Sequence, residues 1–90
     1  MKYSYWNVEQ TDLFGGERNY SWVKRWIVRA TTPNSAMAKI AMAELGGGWR
    51  KHSSIGDFIY YRRAYELTEV SIIWREDPPN DDDDDDNIIR

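Results

Sequence analysis

The chain has 90 residues, which limits it to one small domain, and its five Trp and six Tyr are many for that length. It contains no cysteine, which argues against a disulfide scaffold or a structural zinc site and favours an intracellular setting. The net charge of −3 hides an asymmetry, because residues 1–75 carry 11 basic and 7 acidic residues whereas residues 76–90 carry 8 acidic residues and one Arg.

The first third of the chain predicts two strands. Residues 3–8 alternate in polarity and are rich in rings, and residues 20–30 alternate over a longer run. Gly15 and Gly16 lie between them and permit the positive φ of a hairpin connection. The predicted faces of the second strand are Tyr20, Trp22, Trp26, Val28 and Ala30 on one side, and Ser21, Val23, Arg25, Ile27 and Arg29 on the other.

A helix is predicted next, over residues 33–45. Thr32 is suited to the N-cap position, and Pro33 is well tolerated at the first helical position. Three glycines at residues 46–48 follow the helix and supply its C-cap. The expected buried stripe comprises Met37, Ile40, Ala41 and Leu45.

Two more strands are predicted over residues 57–63 and 67–75, whereas residues 49–56 are expected to form a loop or a short irregular strand. Pro78 and Pro79 then end the sheet, because proline cannot donate to a strand ladder. The predicted fold class is α+β: a four-stranded antiparallel sheet with one helix packed on one face, in the order β-β-α-β-β. We predict a single domain over residues 1–76 and a disordered acidic tail over residues 77–90.

A surface for a partner is expected on the sheet. One helix covers a single face, yet both faces of the second strand carry apolar residues, so the other face is expected to expose rings and to bind a partner. The alternative is that the segments near the tail fold over that face, or that the sheet curls on itself.

Cations alternate with rings at three places in the chain. This alternation is typical of proteins that bind single-stranded nucleic acid, in which cations follow the phosphates and bases stack on rings. The alternative is that the rings are core residues and the cations lie solvated at strand edges. The predicted binding residues are Trp22, Lys24, Trp26, Arg50, Lys51, Tyr60 and Arg62.

No pattern indicates catalysis, a cofactor or a metal. His52 is the only histidine, and the adjoining Ser53 and Ser54 are not placed as a catalytic triad by sequence adjacency alone, so a solvated histidine is expected. Neither glycine run fits a phosphate-binding loop, and the aspartate run lacks the spaced ligands of a calcium-binding loop. We predict a non-enzymatic protein that uses no cofactor and no metal ion.

Two segments resemble known families. Residues 12–17 (DLFGGE) together with residues 19–23 (NYSWV) resemble a string found in small uncharacterised proteins of bacteriophages and related mobile elements. The resemblance implies a phage accessory protein, and small proteins of that class often bind a host component, including components of defence systems.

The end of the chain resembles the acidic C-terminal tail of single-stranded DNA-binding proteins. The resemblance rests on the aspartate run and on the apolar tip Ile88-Ile89, and it departs from that family in lacking a terminal Phe and in ending on Arg90. It implies a tail that competes with nucleic acid for the basic body. The tail residues concerned are Asp81, Asp82, Asp83, Asp84, Asp85 and Asp86.

Together these observations predict a small phage accessory protein that binds a host protein, or another phage protein, through the face of the sheet that the helix leaves open. The rival hypothesis is a protein that binds single-stranded DNA or RNA, with the aspartate tail as an internal competitor. A homodimer formed through the same open face is a third hypothesis. No membrane partner is expected, because no apolar run is long enough to span a bilayer, and we expect the protein in the cytoplasm of the host cell.

Overall fold

The computed structural model describes residues 2–14, 17–64, 67–83 and 85–90, and it describes the side chains of these residues except for those in the range 13–22. The fold is α+β, with one α-helix and a sheet that accounts for most of the described chain. The helix α1 spans Pro33–Ile40. The strands are β1 (Ser4–Phe14), β2 (Glu17–Ala30), β3 (Trp49–Ile55), β4 (Phe58–Arg63), β5 (Thr68–Arg75) and β6 (Ile88–Ile89).

The strands form one sheet in the order β3-β4-β5-β1-β2-β6. All neighbours are antiparallel except β2 and β6, which run parallel. The β1–β2 hairpin is joined to the β3–β4–β5 meander by the pairing of β1 with β5, so β1 lies inside the sheet. The prediction of four strands in the order β-β-α-β-β is therefore corrected to six, with β3 and β6 as the additions.

The start of α1 is the best-predicted local feature. Thr32 Oγ1 accepts a hydrogen bond from the Ser35 backbone N–H at 3.0 Å, and Ser35 Oγ accepts one from the Thr32 N–H at 2.9 Å. This reciprocal capping box, with Pro33 inside the first turn, confirms the predicted N-terminus. After Ile40 the chain continues through one π-helical turn, Ala41–Leu45, and ends where Gly46 takes a φ of +79°.

The core lies between α1 and one face of the sheet. Its fully buried members include Val8, Val28, Ile40 and Ile72, each with no exposed surface. Burying a side chain of that size stabilises the fold by roughly 1.5–3 kcal/mol relative to leaving it in water. The complete buried cluster is Val8, Trp26, Val28, Ala30, Ala36, Met37, Ile40, Tyr61, Val70 and Ile72.

Strand register decides which residues share a face with this core. Trp26 pairs with Val8, Val8 with Ile72, and Ile72 with Ile59, so these four point toward α1. The residues between them in each strand point the other way. We call the side of the sheet opposite α1 the open face.

The predicted disordered tail is also corrected. Residues 85–87 form a 3₁₀ turn, and Ile88 and Ile89 add to β2 opposite Ile27 and Val28. Ile88 is 9% exposed, and Ile89 packs against the core cluster. The apolar tip of the tail is therefore buried against the sheet. Composition alone did not predict this burial, because the charge of the preceding aspartates dominates the segment.

Candidate functional site

A groove of about 430 Å³ lies on the open face. Its floor comes from the central strands, with Asn7 of β1, Ile27 of β2 and Ile73 of β5 in neighbouring positions of the register. Phe58 of β4 lines one side, and tail residues, including Asp83, line another. The groove therefore has a floor in which Ile27 and Ile73 adjoin the polar Asn7, between an aromatic ring and the chain's own acidic segment.

Arg75, at the end of β5, fixes the tail to this face. Its Nη2 lies 3.3 Å from Asp83 Oδ2, its Nη1 donates to Asn7 Oδ1 at 3.2 Å, and its Nε donates to the Asp77 carbonyl at 2.8 Å. The same Asp83 carboxylate oxygen accepts from the Asn80 backbone N–H at 2.8 Å. The side chains of the Arg75–Asp83 pair are only 21% and 27% exposed, so water screens the pair incompletely.

Two further ion pairs lie on the open face. Arg25 Nε lies 3.0 Å from Glu9 Oε1, and Arg25 remains 68% exposed. Arg62 Nε lies 2.9 Å from Glu69 Oε2, and the Glu69 side chain is 1% exposed. Arg62 is thus committed to a buried carboxylate, whereas Arg25 lines the groove and still faces solvent.

An aromatic patch continues the groove toward β3. The rings of Phe58 and Tyr60 stack with their centroids 6.0 Å apart and their planes 18° from parallel. Ile55, which pairs with Phe58 across the β3–β4 hairpin, is 61% exposed, and Phe58 is 39% exposed. The open face therefore presents contiguous apolar surface beside the cation of Arg25.

The predicted binding residues divide between the two faces. Tyr60 lies on the open face, together with Arg62 and its cross-strand neighbour Arg50. Trp26 lies on the other face, where it is 6% exposed within the core. A ring in the core is not accessible to a base, and this position of Trp26 is the one that the alternative, with the rings as core residues, describes.

The remaining predicted residues do not join the open-face set. Lys24 and Lys51 lie on the same side of the sheet as α1. Lys24 pairs with Gln10 and Lys51 pairs with Tyr61, and both partners lie two residues from core residues of their strands, Val8 and Ile59. The side chain of Trp22 lies outside the described residues. Of the tail aspartates, Asp83 contacts the sheet, and Asp84 lies outside the described part of the chain.

Sequence reasoning missed the residues that line the groove: Arg25, Ile27, Ile73, Arg75 and Ile88. The alternation of the second strand already placed Arg25 and Ile27 on one side. The missing information was which side α1 covers, since both sides carry apolar residues. The contact of Asp83 with Arg75 joins residues whose proximity no local pattern encodes.

The helix side carries a second, smaller cleft beside Asn34, Met37, Trp49 and Tyr61. The Tyr61 hydroxyl donates to Asn34 Oδ1 at 2.5 Å, and burial raises the pKa of this phenol above 10.0. Arg63 stacks 4.6 Å from the Trp49 ring centroid and donates to the Leu45 carbonyl at 2.7 Å. The contacts of Arg63 hold the glycine loop after the helical segment against the sheet, and the Tyr61–Asn34 hydrogen bond holds the start of α1.

His52 is exposed on β3, and its Nδ1 lies 3.3 Å from Ser53 Oγ, its sequence neighbour. Within the described ranges, no group of three His, Asp or Glu residues is placed to hold a metal ion. No helix in the described chain is both long and apolar enough to cross a membrane.

Comparison of the chain with models of protein families found no match, and comparisons with curated proteins and with solved structures found none either.

Proposed function

We propose that the protein is a non-enzymatic binding domain, and that the open face docks onto an acidic surface of a partner protein. The observation that carries this proposal is the open-face groove, in which apolar residues adjoin Arg25 and Arg75 and which already accepts one carboxylate from the chain itself. Rings and arginines are the residue types enriched at protein interfaces. The acidic partner supplies charge complementary to these cations.

The origin of the partner rests on the sequence alone. Because the string at residues 12–23 resembles phage proteins, we propose a host protein, such as a component of a defence system, or another protein of the same phage as the partner. The cytoplasm of the host cell is where we expect the encounter.

Single-stranded nucleic acid is the second candidate ligand, favoured by one observation. Tyr60 lies on the same face as Arg62 and Arg50, which pair across β3 and β4. Against it, Trp26 is a core residue and Glu69 already binds Arg62.

Site-specific photocrosslinking in host cells tests the proposal. A photoreactive phenylalanine analogue in place of Phe58 reports on the open face, and the same analogue in place of Met42, which is 91% exposed on the helix side, is the matched control. We expect one protein to crosslink from position 58 alone. Its purified form should bind the wild-type chain, and Arg25→Glu should weaken that binding by about tenfold, because the substitution reverses a charge in the groove.

Identical products from positions 58 and 42, or no effect of Arg25→Glu on the purified pair, would rule out the open face as the docking surface. Titration with single-stranded DNA and RNA over a salt series tests the second candidate. Nucleic-acid binding weakens steeply as salt is added, in proportion to the number of phosphates neutralised. Submicromolar binding with that salt dependence would replace the protein partner by nucleic acid.

A further inference from the structure

The tail shows what kind of ligand the groove accepts. It contributes a carboxylate at Arg75 and, further along, a branched aliphatic side chain beside Ile27, where Ile88 is buried to 9% exposure. The tail also adds backbone pairing to the edge of β2. A segment of the same chain therefore shows the main-chain pairing and the side-chain contact of peptide recognition by strand addition, and Arg75 adds a charged anchor.

From this we infer that the natural ligand is an extended acidic peptide segment of the partner protein, with a branched aliphatic residue following its carboxylates. It adds to β2 as a parallel strand in the place of β6 and puts a carboxylate on Arg75. This inference rests on the proposed function and specifies its ligand. The acidic tail is the internal stand-in for that segment.

The tail is suited to being displaced because its strand covers only a short part of β2. The strand β6 has two residues, and it pairs with only two of the 14 residues of β2. Among the described contacts, the tail is also held by the Arg75–Asp83 pair, which contributes on the order of 1 kcal/mol or less, and by the burial of Ile88. A longer segment that pairs with more of β2 therefore competes well, although the tail is present at the millimolar effective concentration typical of a short tether.

The tail does not fill the groove, so a ligand with a larger side chain in this space would bind more tightly. The groove of about 430 Å³ stays open between Phe58 and the tail, and Asn87 lines its tail side. Asn87 lines the same groove as Ile73 and Phe58, and Phe58 is 39% exposed, so an apolar side chain at the position of Asn87 is expected to bury more of this apolar surface. The groove thus favours a partner segment that is more apolar at this position than the tail itself.

A labelled synthetic peptide of residues 77–90 tests the inference by fluorescence anisotropy. The receptor is the full chain carrying Asp83→Lys and Ile88→Asp, which places a cation opposite Arg75 and a charge in the aliphatic site, so that its own tail leaves the groove. We expect the peptide to bind this variant at least about tenfold more tightly than it binds the wild-type chain, whose tail competes in cis. A peptide with Asn87→Leu should bind more tightly, and a peptide with both Asp83→Asn and Ile88→Ser should bind at least about tenfold more weakly.

A scrambled peptide of the same composition is the control, and equal affinity for it would overturn the inference. Should the double variant fail to fold, the single variant Ile88→Ser replaces it in a nuclear magnetic resonance titration, because its own tail differs from the peptide beside Ile27. Shifts are then expected at the Ile27 and Val28 amides, and no shifts there would overturn the inference. If the wild-type chain instead forms stable dimers by exchanging tails, the groove is occupied by the tail of a second copy. That result would overturn the inference of a partner segment. Failure of the peptide with continued crosslinking from position 58 would leave the open face as the docking surface and remove only the ligand specified here.

Discussion

Arg75 and Asp83 are eight residues apart in the chain, and their side chains meet at 3.3 Å where the last strand of the meander gives way to the acidic tail. Arg75 also contacts Asn7 of β1, so a single guanidinium connects two strands and the tail. The aspartate run is therefore tied to the basic body at a defined point, and the tail crosses the open face before Ile88 reaches β2.

The first prediction concerns this contact. Asp83→Asn removes the charge of a partly buried pair and should destabilise the attachment of the tail by about 0.5–1 kcal/mol. Faster hydrogen exchange at the amides of residues 85–89 would measure the effect, and added salt should reduce the difference from the wild-type chain. Asp82→Asn is the matched control, since Asp82 is exposed and loses the same charge. Equal acceleration in both variants would show that total tail charge matters and the Arg75 contact does not.

The second prediction uses the unequal burial of Arg62 and Glu69, whose side chains are 39% and 1% exposed. Arg62→Ala takes the cation away from a buried carboxylate and should cost about 2 kcal/mol of unfolding free energy. Glu69→Gln leaves Arg62 able to reach water and should cost about 1 kcal/mol. Urea unfolding at neutral pH measures both. A larger cost for Glu69→Gln would contradict the argument that burial of the carboxylate decides the asymmetry.

The third prediction compares two adjacent glycines in the loop after α1. Gly48 has a φ of +92°, and a Cβ there would lie 3.3 Å from Arg63 Cδ, whereas a Cβ on Gly47 would meet no atom within 4 Å. Gly48→Ala should therefore destabilise the fold by about 1–2 kcal/mol, and Gly47→Ala should change stability by less than about 0.5 kcal/mol. Thermal and urea unfolding of the two variants provide the comparison, and equal costs would argue against strain at Gly48.

Local signals in the sequence predicted the elements that depend on neighbouring residues. Thr32 and Pro33 located the helix start, and the alternation through Trp26 and Val28 located the second strand, because capping and side-chain period act within a few residues. The sequence also predicted part of the buried stripe of the helical segment: Met37 and Ile40 are buried, whereas Ala41 and Leu45 are partly buried.

The parts that local signals missed depend on distant contacts. The strand β3 has apolar residues only at its two ends, and its register shifts between Lys51 and Ser53, so it shows no clean alternation. The strand β6 is two residues long and shows no measurable period. Which face of the sheet α1 covers depends on tertiary packing. That packing places Trp26 in the core and Tyr60 on the open face.

The last prediction concerns alkaline pH and Tyr61, which is 4% exposed. Burial raises the pKa of this phenol above the unfolded value of 10.0, so the folded protein keeps the proton at pH values where the unfolded chain has lost it. The resulting stability is fully present below pH 10 and is lost as the pH rises toward the folded pKa.

Tyr61→Phe should therefore lower the free energy of unfolding by about 1 kcal/mol at neutral pH, because the hydrogen bond to Asn34 is removed. Above pH 10, the free energy of unfolding of this variant should fall less steeply with pH than that of the wild-type chain. Met37→Leu, a conservative change in the same core cluster, is the control, because it lowers stability without touching a titrating group. Urea unfolding at pH 7 and at roughly pH 11 gives both slopes. Parallel losses for Tyr61→Phe and the wild-type chain across that interval would show that Tyr61 does not contribute to the alkaline decline.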